Sequence, residues 1–391
     1  MIKNSYQVVV LAGGASSRFF PFNTDGKAVF RLMGRPLVWY TLNGLSKLGI
    51  ESATVVRPKE NAELENVTGP KIGQLKVNYV SQEKPKGQAD AILTAYKNIK
   101  NPDPALILNF QHFTAASIIP KVLNLFEKSG KSVLVSTKTD KPWKYGILNI
   151  DGKKVTGVVE KPQKGSEPSN QRIVGIYLLT PEAIKMIASR PENEYQLEDG
   201  LNELASQDKL VHLQIDKPLA SVKYPWDLFA IKDMLLDGKQ YIDKSAFVHK
   251  SAIIEGPCWI GPNAVVGAFC LLRKGVILEE GVQAERYLEI KNSIIGNNSH
   301  VHSGFIGDSV IGQNCRIGAG FITANRRFDR RDILVEVKGE KVDSGTSSLG
   351  VFVGNSVHIG IHCGAMPGTI IESGATVMPG EIKRGIVRVE R

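Results

Sequence analysis

Residues 242–290 read IDKSAFVHKSAIIEGPCWIGPNAVVGAFCLLRKGVILEEGVQAERYLEI, and an aliphatic residue or alanine returns at every sixth position: Ile242, Val248, Ile254, Ile260, Val266, Leu272, Leu278, Ala284 and Ile290. A helix repeats near 3.6 residues and an alternating strand at 2, so neither produces this period. A period of six marks the hexapeptide β-helix, whose repeats are flat strands too short to bury their apolar residue alone. Stacked coils turn those residues into a continuous aliphatic column. The rhythm continues in steps of five and six through Ile295, Val301, Ile306, Ile311 and Ile317, and returns at six through Val353, Ile359, Ala365, Ile371 and Val377. It is lost between Asn325 and Gly350, where RRFDRRDILVEVKGEKVDSG (326–345) is charged and irregular. That stretch reads either as a functional loop or as a plain surface insertion.

The chain has 391 residues, too many for one ordinary core. The repeat phase sets the expected boundary: an α/β domain over 1–236 and an all-β parallel β-helix over 237–391. Composition is that of a soluble globular protein, 42% hydrophobic and 23% charged. No apolar run reaches the ~18 residues of a membrane helix. The opening run QVVVLAGG leads into a glycine turn, which reads as a buried first strand and not a signal peptide. A cytoplasmic protein with no membrane partner is expected. The net charge of +10 forms no block and no basic stripe with aromatics, so nucleic acid is not the expected partner. Anionic, phosphorylated substrates fit the excess as well. Cys258, Cys270, Cys315 and Cys363 form no CxxC pair and read as free, buried thiols.

In the first half, strands are predicted at Gln7–Leu11, Ser52–Arg57, Leu75–Val80, Ala105–Asn109, Ser132–Thr137, Val155–Glu160, Ile173–Leu179 and Val211–Ile215. Helical patterns fall at 36–48, 89–98 and 118–128. This alternation predicts a doubly wound α/β domain, with its first strand in a parallel sheet. Ligands then sit beyond the carboxyl ends of the strands, where Gly13 and Gly14 lie. A glycine turn there lets backbone N–H groups approach a phosphate. LAGG is neither GxGxxG nor a P-loop. Arg18 and Lys27 follow it, two cations suited to a triphosphate or, taken singly, two surface charges.

The segments LAGGASSRF, DGKAVFRLMGRPLVWYTL, QEKPKGQADAI, YGILNIDGKKVTGVVEKP, VGIYLLTPE and YPWDL, in this order, resemble the sugar-1-phosphate nucleotidyltransferases over roughly residues 5–236. The resemblance implies transfer of a nucleotidyl group from an NTP to a sugar-1-phosphate, with pyrophosphate released. Leu11, Ala12, Gly13 and Gly14 would hold the nucleotide. Arg18 would meet the triphosphate and Lys27 the phosphates; Gln82, Gly87 and Gln88 would read the base. Gly146, Glu160 and Lys161 would contact the sugar phosphate, and Mg²⁺ would assist. The pattern departs from the family at the metal. Gln111 stands where an Asp is usual, and Ser221 replaces a second carboxylate ahead of Asp227. His112 is a conceivable substitute ligand. Two readings follow, an active transferase with Mg²⁺ carried mostly by the triphosphate and by Asp227, or a subunit that binds nucleotide-sugar without turnover.

SHVHSGFIGDSVIGQNCRIGAGFITAN (299–325) resembles the acetyltransferase part of bifunctional glucosamine-1-phosphate acetyltransferase/N-acetylglucosamine-1-phosphate uridylyltransferases. The resemblance implies a left-handed β-helix. It makes His302 a general base toward a sugar amine, Asn325 a substrate-orienting residue, Ala319 a contact of acetyl-CoA, and the chain a homo-oligomer, commonly a trimer. Phe305 stands where a Tyr is usual, and Ser348 where a Lys is. A third reading therefore has only the acetyltransferase half active, and a plainer one makes His302 a surface histidine.

Overall fold

The structure, a computed structural model, describes residues 6–14, 16–24, 26–83, 86–97, 103–152 and 154–389. The chain forms two compact units. One holds Met1–Gly14 and Leu37–Ser221; the other holds Ala15–Pro36 and Val222–Arg391. The segment that carries Arg18 and Lys27 thus packs with the second unit, although it lies early in the sequence.

The first unit is built on a ten-stranded sheet. Its first strand, Gln7–Leu11, is apolar and buried on both faces and runs parallel to Ser52–Pro58 and to Ala105–Asn109. Leu11 pairs with Val56 on one side and Asn109 on the other, so the strand ends and the glycine turn share one edge. The parallel arrangement holds for these central strands and for Leu75–Gln82. It does not extend to Gln171–Leu179, which runs antiparallel to Ala105–Asn109. The cause is local: Gly146–Asp151 and Lys154–Glu160 form an antiparallel hairpin, which reverses the chain before it re-enters the sheet.

Three predicted helices are present as Leu37–Lys47, Gln88–Lys97 and Ile119–Ser129; Asn98 lies outside the described residues. Three more of this unit, Pro181–Ala188, Gln196–Ser206 and the short Glu63–Thr68, were not anticipated. The first had a readable start signal. Thr180 accepts the Ala183 N–H on its hydroxyl at 3.1 Å, and Pro181 occupies the first turn.

In the second unit the hexad pattern becomes three parallel sheets of eight, seven and seven short strands, consistent with the expected left-handed β-helix. Every sixth residue stacks on its counterpart one coil later: Ile242 on Ile260, Ile260 on Leu278, and Val248 on Val266. From Ile260 to Val377 the predicted column residues are buried, and the four cysteines are buried in the same core. Burial pushes the thiols of Cys258, Cys270 and Cys315 above their ordinary range. Ile242 is 46% exposed because its strand is the terminal one of its sheet. Asn263, Asn298 and Asn314 turn the corners at positive φ, a conformation asparagine tolerates.

Residues 326–345 contain an antiparallel hairpin, Leu334–Val337 with Glu340–Asp343. Ile333 and Val335 are buried, and the side chain of Ile333 lies close against Gly368 of the β-helix. The excursion is therefore anchored to the coils.

Candidate functional site

At the carboxyl edge of the central strands, Ala12 donates its N–H to Val56 O at 2.8 Å and Phe110 donates to Leu11 O at 3.2 Å. These bonds hold the turn flat against the strand ends. A Cβ on Gly13 would sit 2.6 Å from Gln82 Oε1, so only glycine admits the Gln82 carboxamide there. Gln82 is buried and donates through Nε2 to Asp90 Oδ2 at 2.6 Å. Gln88 opens its helix and donates to Asn109 Oδ1 at 3.3 Å. Gly87 has φ +124°, and a Cβ there would lie 3.3 Å from Glu194 O. The expected nucleotide residues of the first unit, Leu11 to Gly14 with Gln82, Gly87 and Gln88, thus share one strand-end neighbourhood. Asp90 and Asn109, which fix the two carboxamides, were missed in the sequence, where nothing distinguishes them from surface polar residues.

Gly146 and Glu160 face each other across the hairpin, and a Cβ on Gly146 would come 2.7 Å from Glu160 Oε2. Lys161 approaches Glu160 at 3.3 Å and holds φ +45°, an unusual conformation for a side-chain-bearing residue. Its N–H is fixed by Tyr145 O at 3.0 Å. Glu198 also senses Glu160 and Lys161, and burial raises its carboxyl to about 7. A carboxylate pair beside a lysine suits sugar hydroxyls and a phosphate. Glu198 was not anticipated, because its contribution arises from a helix that sequence periodicity did not reveal.

The two expected metal positions are brought close. The backbones of His112 and Ser221 pair in an isolated antiparallel bridge, and Phe113 donates to Ala220 O at 2.9 Å, which sets Gln111 beside the 220–221 segment. The donors there are a carboxamide, a hydroxyl and a buried imidazole, whereas Mg²⁺ prefers carboxylate oxygens. No group of three or more His, Cys, Asp or Glu among the described residues is arranged to hold a metal. These residues do not fit a resident Mg²⁺.

In the second unit, Arg18 is exposed on a short turn, Ser17–Phe19, while Lys27 is buried. The Lys27 ammonium donates to Val222 O at 2.7 Å. Burial lowers its pKa to about 8; Asp227 opposes this, while Arg18 and Lys223 reinforce it. Asp227 Oδ2 accepts the N–H groups of Lys223 and Tyr224 at 2.6 and 2.7 Å, so the carboxylate orders the turn into its own helix. Burial raises the Asp227 pKa. The surface-charge reading fails for Lys27, which is only 8% exposed.

Further along the same unit, His302 is exposed and lines a groove of about 580 Å³ with His300, Arg316, His358, Ile361 and Met378. The N–H of Gly320, next to Ala319, meets Ser303 O at 3.2 Å, next to His302. Asn325 donates to Asp308 Oδ2 at 2.5 Å, and the buried Lys291 reaches the same oxygen at 2.7 Å. Asn292 occupies the other oxygen at 2.8 Å.

The chain belongs to the nucleotidyl transferase family, whose pattern matches residues 7–219. Residues 236–327 match the GMPPB C-terminal domain. Among curated relatives, a bifunctional sugar-1-phosphate nucleotidylyltransferase/acetyltransferase of Sulfurisphaera tokodaii is 29% identical, covering 95% of this chain and 96% of the relative. The bifunctional protein GlmU of Methanococcus vannielii is 27% identical over 94% and 92% of the two chains. A solved putative glucose-1-phosphate thymidylyltransferase from Bacillus anthracis shares the fold of the first part, with TM-score 0.52 at 20% identity, covering 59% of this chain and 94% of that one.

Proposed function

We propose that the chain joins a nucleoside triphosphate to a sugar-1-phosphate. A phosphate oxygen of the sugar attacks the α-phosphorus, the bond to the bridging oxygen breaks, and pyrophosphate leaves. The observation that carries this reading is the strand-end cleft in which Gly13 lies against Gln82, itself fixed by Asp90. The relatives' names agree with it. Gln82, Gly87 and Gln88 read the base; Gly146, Glu160 and Lys161 orient the sugar phosphate. Lys27 and Arg18 neutralise phosphate charge, so catalysis is positioning and electrostatics. No step depends on a metal held by the protein.

Gln111 and Ser221 favour a second reading, in which the same cleft holds a nucleotide-sugar without turnover. Pyrophosphate release from each NTP with a panel of sugar-1-phosphates separates the two. Release above the level of Lys27→Ala supports transfer; binding without release supports the second reading.

For the second unit we propose acetyl transfer from acetyl-CoA to a sugar-phosphate amine. His302 is the base, and the chain acts as a homo-oligomer, a trimer as is common for β-helices of this kind. The exposed imidazole on an open groove supports this. Undiminished acetylation by His302→Ala would remove it.

A further inference from the structure

Gln82 closes the strand Leu75–Gln82 and is only 2% exposed, and the two ends of its carboxamide meet different surroundings. Nε2 donates to Asp90 Oδ2 at 2.6 Å. Oε1 lies toward the glycine turn, 2.6 Å from where a Cβ on Gly13 would sit. That oxygen takes no donor from the described residues and is not sealed inside the protein. What this enclosed side chain offers to a ligand at the turn is therefore a hydrogen-bond acceptor.

The partner dictates which end faces the turn. A glutamine left to itself can turn its amide over and present either oxygen or nitrogen. A carboxylate only accepts, so Asp90 holds the NH₂ end and leaves the oxygen on the Gly13 side. Asp90 lies in the first turn of the helix Gln88–Lys97, a place that favours negative charge. Gln88 makes the contrast. Its Nε2 meets Asn109 Oδ1 at 3.3 Å, and an amide partner can satisfy either end of a second amide.

We propose that Asp90 is a positioning residue, which fixes Gln82 as an acceptor and so selects a nucleotide whose base carries a ring N–H. Proteins read an unpaired base on this edge. Uracil, thymine and guanine have the hydrogen there, beside a keto oxygen. Adenine and cytosine have a lone pair there, beside an amino group, and the fixed oxygen would face lone pair against lone pair. The proposal rests on the nucleotide-binding reading of the cleft and not on turnover.

Equilibrium titration of the full chain with UTP, dTTP, GTP, ATP and CTP reads the selection directly. At least one of UTP, dTTP and GTP is expected to bind about tenfold or more tightly than ATP and CTP, and the tightest of them identifies the base. Asp90→Asn keeps the size of the side chain but lets either end of the Gln82 amide face the turn. Its affinity for the preferred nucleotide should fall about tenfold, and the gap to ATP and CTP should close to within about threefold. A purely structural role for Asp90 lowers all the affinities together, so an unchanged ratio in Asp90→Asn overturns the proposal. Equal affinities in the wild-type chain, or a preference for ATP or CTP, overturn it as well and leave nucleotide binding standing. Binding of none of the nucleotides removes the nucleotide reading and the proposal together.

Discussion

The buried side chain of Glu279 is joined to Gly34 by a hydrogen bond of 2.8 Å, in which carboxylate Oε2 accepts the backbone N–H; Oε1 accepts the neighbouring Met33 N–H at 2.6 Å. Met33 and Gly34 both hold positive φ, so both donors of a tight turn point at one side chain of the β-helix. This carboxylate fastens the Arg18- and Lys27-bearing segment to the coils.

Burial raises the Glu279 carboxyl to about 7, and the two backbone N–H groups only partly offset this. A raised folded pKa means that its stabilising effect is complete below the ordinary value near 4.5 and is lost as pH rises through about 7. The melting temperature of the wild type, taken relative to Glu279→Gln, is therefore expected to fall between pH 4.5 and 7. Glu279→Ala leaves two half-buried donors without their acceptor and should cost roughly 1–2 kcal/mol, with faster hydrogen exchange at Met33 and Gly34. A wild-type exchange rate at both amides would show that the anchor is unimportant.

Lys27 sets an alkaline limit. Its pKa is lowered to about 8, so the folded protein loses this cation as pH rises through 8, well before an ordinary lysine would. For pyrophosphate release, kcat/KM should fall above pH 8 by about tenfold per unit, if the ammonium is the required form. Lys27→Arg keeps its charge and should flatten that limb at a lower plateau. Lys27→Ala should lose on the order of a hundredfold or more. An unchanged limb in Lys27→Arg would assign the titration elsewhere.

The β-helix was legible because the column is one-dimensional. Ile260, Val266 and Leu272 must stack whatever the rest of the chain does, so their spacing carries the fold. The first strand and its turn were legible for a similar reason, since QVVVL needs burial on both faces. What did not show is anything formed by contacts distant in sequence. The antiparallel return of Gln171–Leu179 follows from a hairpin, and the pairing of Gln82 with Asp90 follows from a strand and helix meeting. That Lys27 is buried and Arg18 exposed depends on the segment packing with the second unit, which no local pattern reveals.

Two glycines test the first-unit cleft. Gly13→Ala would place a methyl 2.6 Å from Gln82 Oε1, and Gly146→Ala would place one 2.7 Å from Glu160 Oε2. Neither glycine holds positive φ, so the effect is steric at the site and not backbone strain. Gly13→Ala should raise KM for the NTP by about tenfold or more, and Gly146→Ala should raise KM for the sugar-1-phosphate, each with the other KM little changed. Steady-state kinetics with either substrate varied will show whether the effects separate; a shared effect on both would place the glycines in one common pocket.

Asp308 gives the sharpest stability test. One of its oxygens takes both the Lys291 ammonium and the Asn325 amide, and the side chains of Lys291 and Asp308 are only 10% and 4% exposed. Asp308→Ala leaves a buried ammonium without its counter-charge and should cost about 3–5 kcal/mol, read as a shift in urea midpoint. Asp308→Asn keeps the shape but loses the charge, so its cost should be smaller. In an acetyl-transfer assay Asp308→Asn loosens Asn325 and should raise the acceptor KM, whereas His302→Ala removes the base and should lower kcat. If Asp308→Asn changes stability and leaves the acceptor KM at wild type, Asn325 serves the coil alone, and substrate orientation must come from another residue of the groove.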